Sequence, residues 1–300
     1  MLGNLFYWLL NMSILGTVAG FLVLLLRRIK RLPRFVPYLL WAVPLLRLWL
    51  PIGLSSRYSL LNMLSGFAVK TVGLYGGLSA MNFIQAADTY FPLVFRREIL
   101  ADVFSVAGTI WAIIAAAALL TAAALYLLTK HELKTAEPED DRTYRSDKIL
   151  SPAVFGILRP KIVLPKGMTD TSRAYVLLHE QMHIRRLDNL WRLAAVATAC
   201  VHWFNPFVWL FLKAFFEDME LSCDERVLRR CGEAEKKAYA AALLDCEAGK
   251  TVFSSAFGGA KTRVRIAGIL SYKRLTVASA AGFILLTAAA AAAMLTNAAV

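Results

Sequence analysis

Four long runs of apolar residues divide the chain. The first, Leu2 to Leu26, carries no charge and exceeds the roughly 20 residues that a helix needs to cross a bilayer. The second, Phe35 to Leu54, holds Pro37 and Pro44, either of which can kink it. Its one charge, Arg47, is expected to snorkel to the far interface or to face neighbouring helices. The third, Val103 to Leu128, is rich in Ala and Leu, and the fourth runs from Leu275 to Leu295. No basic residue precedes the first run and no small-residue cleavage site follows it, so it reads as a retained anchor. Thr71 to Ala87, apolar with several glycines, is expected to be interfacial or re-entrant.

The pattern changes between the third and fourth runs. Glu132 to Asp147 is polar and reads as an exposed linker. Ala153 to Ile157 and Lys161 to Leu164 then read as two short strands around the turn Leu158-Arg159-Pro160. They form either a plain hairpin or one whose free edge holds an extended peptide. No Gly or Pro occurs from Thr169 to Asn205, and Leu177, Leu178, Ile184, Leu187 and Leu190 keep a helical period. Asp170 or Thr171 is the expected cap of that helix. Leu190 to Phe216 is again apolar, interrupted by the Asn205-Pro206 turn. Its aromatic density, from Trp203 to Phe216, suits a membrane interface or a helical hairpin dipping into the bilayer, whereas Arg192 and Lys213 argue against full crossings.

Charge orients this arrangement. The formal net charge is +13, and five basic residues lie between Arg27 and Arg34. So short and basic a loop is expected in the cytoplasm, which places both chain ends and Ser55–Asp102 outside and Lys130 to Arg274 inside. The regions are then 1–128, with three spans and the outer loop, 129–274, a cytoplasmic domain, and 275–300, the fourth span with a short tail. No nucleic-acid motif accompanies the charge, so no direct nucleic-acid partner is expected. The spans show no internal repeat and the ionisable residues cluster outside them, which speaks against a transporter. Cys200, Cys223, Cys231 and Cys246 form no C-x-x-C pair and read as reduced structural thiols.

The candidate chemistry lies in His179-Glu180-Gln181-Met182-His183, in a chain with only four histidines. Residues four apart share one face of a helix, so His179 and His183 can offer two imidazoles to one ion. Zinc suits such an open, nitrogen-rich site, and Glu180 is placed to take a proton from a metal-bound water. A catalytic zinc also needs a third protein ligand. Glu220 and Asp224, four apart on the helix after Pro206, can supply one ligand and one group that orients an imidazole, with Glu217 a rival on the same face. His202 is an alternative nitrogen ligand in an aromatic, interfacial setting, and His131 reads as solvated.

Several segments together resemble one family. They are Ser151-Pro152 through Phe155-Gly156, Pro160 to Pro165, His179-Glu180-x-x-His183 with Arg186, Asp188 and Asn189, His202-Trp203-Phe204-Asn205-Pro206, and Glu220-x-x-Cys223-Asp224-Glu225. The stretch from Ser151 to Val227 is similar to the BlaR/MecR-type integral membrane zinc metallopeptidases, and the four-span layout extends the likeness. The resemblance implies a gluzincin-like site, with His179, His183 and Glu220 as zinc ligands, Glu180 as general base and Asp224 orienting a histidine. It also implies cleavage of a cytoplasmic protein, a transcriptional repressor or the chain itself, in an antibiotic or cell-envelope stress response. The sensor–transducers of that family carry a penicillin-binding domain after the last span, and no S-x-x-K motif stands in any outer region here. The signal is therefore expected through Ser55–Asp102 or a partner sensor subunit, with a homodimer as the other arrangement.

The expected fold class is thus a mainly α, multi-pass protein of a bacterial plasma membrane, with four transmembrane helices and a cytoplasmic zincin-like (gluzincin) α+β metallopeptidase domain. Its expected partners are a protein substrate and the lipid bilayer. The alternative is a catalytically silent zinc-binding signalling or scaffold protein, which would show a closed fourth coordination position.

Overall fold

The structure, a computed structural model, describes residues 2–29, 32–50, 55–56, 98–140, 142–147, 149, 151–157, 159–246 and 261–298. Helix α1 (Leu2–Leu26) follows the first apolar run. The second run is in two pieces, α2 (Phe35–Leu40) and α3 (Ala42–Trp49). The break at Trp41 has a direct cause: Pro44 has no N–H to give to the Leu40 carbonyl. Helix α4 (Glu98–Glu132) covers the third run. Strands β1 (Glu137–Asp140), β2 (Thr143–Ser146), β3 (Ala153–Phe155) and β4 (Lys161–Pro165) follow. Then come α5 (Asp170–Arg185), α6 (Asp188–Val201), α7 (Pro206–Cys231), α8 (Lys236–Asp245), α9 (Thr262–Ser271) and α10 (Val277–Leu295).

Among the described residues α1, α4 and α10 are long and apolar enough to cross a membrane, whereas Phe35–Trp49 is shorter. Thr71–Ala87 lies outside the described residues. Helices α4 and α10 turn large apolar side chains outward, with Ile113 65%, Leu120 71% and Leu285 71% exposed. Such a surface belongs in contact with lipid. Helices α1 and α4 cross closely, since a Cβ on Gly108 would lie 2.7 Å from the Leu2 carbonyl carbon. Arg47 is 4% exposed and faces a neighbouring helix. Its Nε and Nη2 donate to the carbonyls of Met294 and Thr296 at 3.0 and 2.8 Å, closing the C-terminus of α10.

Helices α6 and α7 form the hairpin read from the Asn205-Pro206 turn. Its tip packs between α1 and α4, where Asn205 Nδ2 donates to Ser13 Oγ and Thr17 Oγ1, each at 2.7 Å. Trp111 Nε1 donates to the Val201 carbonyl at 2.8 Å. Asn205 also accepts from the Phe207 amide and so caps α7.

Glu132–Asp147 is not a plain linker. Strands β1 and β2 lie in it and pair antiparallel, and β2 continues the sheet by pairing parallel with β4. The expected hairpin is present as β3 and β4, with Val154 opposite Ile162. The four-stranded order is β1-β2-β4-β3. Ile162 and Leu164 of β4 pack with Val176, fixing the sheet to α5. Midway along α7, contacts come from Arg27, just after α1, and from Trp41, between α2 and α3. Arg27 Nη2 lies 2.9 Å from Glu217 Oε2 and 3.0 Å from Asp218 Oδ1, and Trp41 Nε1 donates to Asp218 Oδ2 at 2.8 Å.

Asp218 has no exposed side-chain surface. Asp218→Ala leaves the Trp41 N–H unpaired and weakens the hold on Arg27, which Glu217 retains. A loss of about 3 kcal/mol is expected, at the lower end for a broken buried pair. Unfolding in detergent micelles, with Glu217→Ala as the milder comparison, measures it.

Candidate metal centre

The motif helix α5 starts at a different cap from the two expected, since Thr169 Oγ1 accepts from the Ser172 amide at 3.4 Å. It ends at Arg185, and the chain reverses within two residues. Leu187 takes a left-handed conformation with φ 57°, uncommon for a residue with a Cβ, and α6 begins at once with Asp188. That tight reversal returns the Asp188 carboxylate to the end of α5. His183 Nδ1 lies 2.6 Å from Asp188 Oδ2. Arg186 grips the same carboxylate with Nε at 3.1 Å and Nη2 at 2.7 Å, and Tyr38 of α2 donates its hydroxyl at 2.8 Å. Arg186 also donates to the Met219 carbonyl and to Ser222 Oγ of α7. The next residue, Asn189, donates to the carbonyls of Gly156 and Val154 at 2.9 and 3.4 Å, so the free edge of β3 is already engaged there. Gly156 has φ 101°, and a Cβ on it would meet the Arg159 carbonyl oxygen at 2.9 Å, so only glycine suits that turn.

The two imidazoles meet, with Nε2 of His179 and Nε2 of His183 3.0 Å apart. Asp188 keeps the ring proton of His183 on Nδ1, which leaves Nε2 a lone pair. Tyr239 of α8 gives its own proton to Asp224 Oδ1 at 2.6 Å and stands 2.9 Å from His179 Nδ1. His179 Nδ1–H therefore donates to the phenol oxygen, and its Nε2 is also a lone pair. Two lone pairs so close repel unless a positive charge lies against both. Glu220 adds Oε2 at 3.4 Å from His179 Nε2 and Oε1 at 3.7 Å from His183 Nε2. Burial works against a charge on either ring. The Cys223 thiol, with Tyr239 and Asp224 beside His179 and with Glu220 and Asp188 beside His183, nevertheless raises both well above 6.5. The pocket favours positive charge, and two imidazole nitrogens with a carboxylate oxygen are compatible with a divalent metal.

The acidic groups are held ionised. Burial would raise Asp224, but the Arg265 guanidinium of α9 and His179 hold it well below the usual carboxylate range. Glu220 is lowered in the same way, against burial, by His183, His179 and Arg265. Arg192 Nη2 donates to Glu220 Oε1 at 2.5 Å. Cys223 is fully buried, and its sulfur lies within 4.8 Å of a ring nitrogen of each histidine, the one such group among the described residues. Glu180 is half-buried and makes no hydrogen bond or ion pair among the described residues.

The structure thus brings together His179, His183, Glu220 and Asp224 and sets the rival apart, for Glu217 binds Arg27. His202 is buried in the hairpin turn beside Phe204. His131 is exposed. Four residues of the centre carried no role from spacing: Asp188 as partner of His183, Tyr239, Arg192 and Arg265. The distance of five residues between His183 and Asp188 was a usable signal once a tight reversal was supposed. Tyr239 and Arg265 arrive on helices that no spacing relates to the motif.

Asp188→Ala frees the His183 ring and is expected to weaken metal binding about 10- to 100-fold. Competition against a chromophoric chelator, on protein that melts like the wild type, measures that loss.

A family model described as BlaR1 peptidase M56 matches residues 7–266. The regulatory protein BlaR1 of Bacillus licheniformis is 39% identical over 103 residues, which cover 33% of this chain and 17% of that protein. The methicillin resistance mecR1 protein of Staphylococcus aureus (strain Mu50 / ATCC 700699) is 31% identical over 105 residues, 34% of this chain and 18% of that protein. The regulatory protein BlaR1 of Staphylococcus aureus is 25% identical over 130 residues, 40% of this chain and 22% of that protein. The matched stretch spans about a fifth of the length of these relatives.

Proposed function

The chain belongs to the BlaR1 peptidase M56 family, and from that premise we propose that it is a membrane-bound zinc endopeptidase acting in signalling. The observation that carries this reading is the facing pair of imidazole Nε2 atoms, 3.0 Å apart, each with its Nδ1 held. His179, His183 and Glu220 would hold the zinc. When bound there, zinc supplies a Lewis acid that polarises the scissile carbonyl and lowers the pKa of a water to about 7. The chain's own residues do the rest. Asp188 and Tyr239 keep the two rings in the tautomer that presents Nε2. Asp224 holds Tyr239 in place, and Arg192 steadies the Glu220 carboxylate. Glu180 accepts the proton of the attacking water and returns it to the leaving amine. That Glu180 has no hydrogen-bond or ion-pair partner among the described residues favours this reading over the silent scaffold.

The substrate we assign is a cytoplasmic protein, a transcriptional repressor or the chain itself. The names of the relatives support a regulatory setting: they are a regulatory protein and a methicillin resistance protein. The four-span layout with both ends outside remains part of this proposal. Arg27, at the start of the basic loop, binds the same helix that carries Glu220, which supports placing loop and centre on one side of the membrane. The positive-inside rule makes that side cytoplasmic.

Glu180→Gln is expected to keep the metal content of the wild type and to lose about 10²- to 10⁴-fold in cleavage. Comparative proteomics of cells carrying either form tests this and identifies the substrate. Unchanged cleavage in the variant would overturn the proposal.

A further inference from the structure

Arg265 is the one cation of α9 that enters the centre. Its side chain is 15% exposed and is held with unusual rigidity. Nε donates to Asp224 Oδ2 at 2.9 Å and Nη2 to Asp224 Oδ1 at 2.7 Å, a bidentate fork that fixes the plane of the guanidinium. Two of its five N–H groups are used in that fork. The others lie on the edge facing the imidazoles and Glu220. Nη2 also stands 3.1 Å from His179 Nε2, and Nη1 is 3.4 Å from Glu220 Oε2. Helix α9 is pinned by Ile269 and Tyr272, which pack with Cys223, Val227, Leu228 and Tyr239. The guanidinium is therefore placed before any substrate arrives.

Resting on the hydrolase reading above, we propose that Arg265 is itself a catalytic residue. Fixed by Asp224, it offers Nη1 and Nη2 to the oxygen of the scissile carbonyl as that oxygen gains negative charge. Its position fits the task. The charge develops beside His179 Nε2 and Glu220, the two groups that the second edge of the guanidinium already reaches. Donors fixed in advance, with little water near, are the arrangement that stabilises a developing oxyanion most. A lysine would bring the charge without the planar fork that keeps it aimed. The competing role is purely positional: Arg265 would then only hold Asp224, and through Tyr239 the ring of His179.

The two roles separate in a binding experiment on the full chain in detergent, loaded with zinc. The forms compared are wild type, Arg265→Gln, Arg265→Lys and Asp224→Asn. Three quantities are measured: zinc affinity by chelator competition, and the affinities of a simple peptide hydroxamate and of a randomised phosphinic peptide pool by calorimetry. The phosphinate mimics the tetrahedral oxyanion, whereas the hydroxamate reports mainly on the metal. Arg265→Gln is expected to keep its zinc and hydroxamate affinity and to lose about 10²- to 10³-fold in phosphinate affinity, with Arg265→Lys in between. Unchanged phosphinate affinity in Arg265→Gln overturns the proposal. So does a fall in zinc affinity matching that of Asp224→Asn, which is the mark of the positional role. A wild type that binds zinc and hydroxamate but no phosphinate overturns it while leaving the hydrolase reading intact. A wild type that binds neither zinc nor hydroxamate overturns both.

Discussion

The centre depends on one buried carboxylate. Asp188 has no exposed surface and takes hydrogen bonds from His183, Arg186 and Tyr38. Burial would raise its pKa, but the bond from His183 and the charge of Arg186 hold it below the ordinary value, so it stays ionised. An ionised group in so dry a place is tolerated only with every partner present. Its partners come from three elements. Tyr38 belongs to the second apolar run, His183 to the motif helix, and Arg186 to the reversal that also grips α7. The left-handed Leu187 is the local strain that this arrangement requires, of the order of 1–2 kcal/mol. Loosening any one of these contacts loosens the aim of an imidazole.

The acidic face of α7 shows how one helix serves the membrane side and the centre together. Glu217 and Asp218 hold Arg27 of the basic loop, and Glu225 accepts from the Phe35 amide at the start of α2. Glu220 and Asp224, one turn apart, turn to the imidazoles. Since α7 runs unbroken from Pro206 to Cys231, its registry against α1 and α2 also sets where Glu220 stands. The apolar helices thus help to set the position of Glu220 against the imidazoles.

What was legible in the sequence follows from range. The motif helix, the β3–β4 hairpin and the turn at Asn205-Pro206 are local patterns that the structure keeps, although the helical period read through Leu187 and Leu190 breaks at Leu187. The β1–β2 pair was hidden because Glu137-Pro138-Glu139-Asp140 is exposed throughout and has no apolar alternation. Its neighbour β2 is a strand by virtue of pairing with β4, a contact between segments far apart in the chain. The break in the second apolar run was legible as well, since Pro44 can kink it and the two helices part at Trp41. Glu217, Glu220 and Asp224 could not be ranked from spacing, since all three share a helical face. Only the neighbours of α7 separate them.

Arg265 and Tyr239 mark the far end of that scale. Nothing in the distance from His179 to either residue indicates contact, because each comes on a separate short helix packed through its own apolar side. Tyr239 is 1% exposed, and its hydroxyl joins Asp224 to the His179 ring, whose Nδ1 also lies 3.3 Å from Asp224 Oδ1. Helix α9 carries Arg265, and Tyr272 to Thr276 then lead into α10, whose other end Arg47 closes. The residue that completes the charge balance of the centre is therefore placed by a short helix joined to an apolar one. Its position reports how that pair of helices packs, which is why the motif alone describes two imidazoles and only the assembled bundle describes the centre around them.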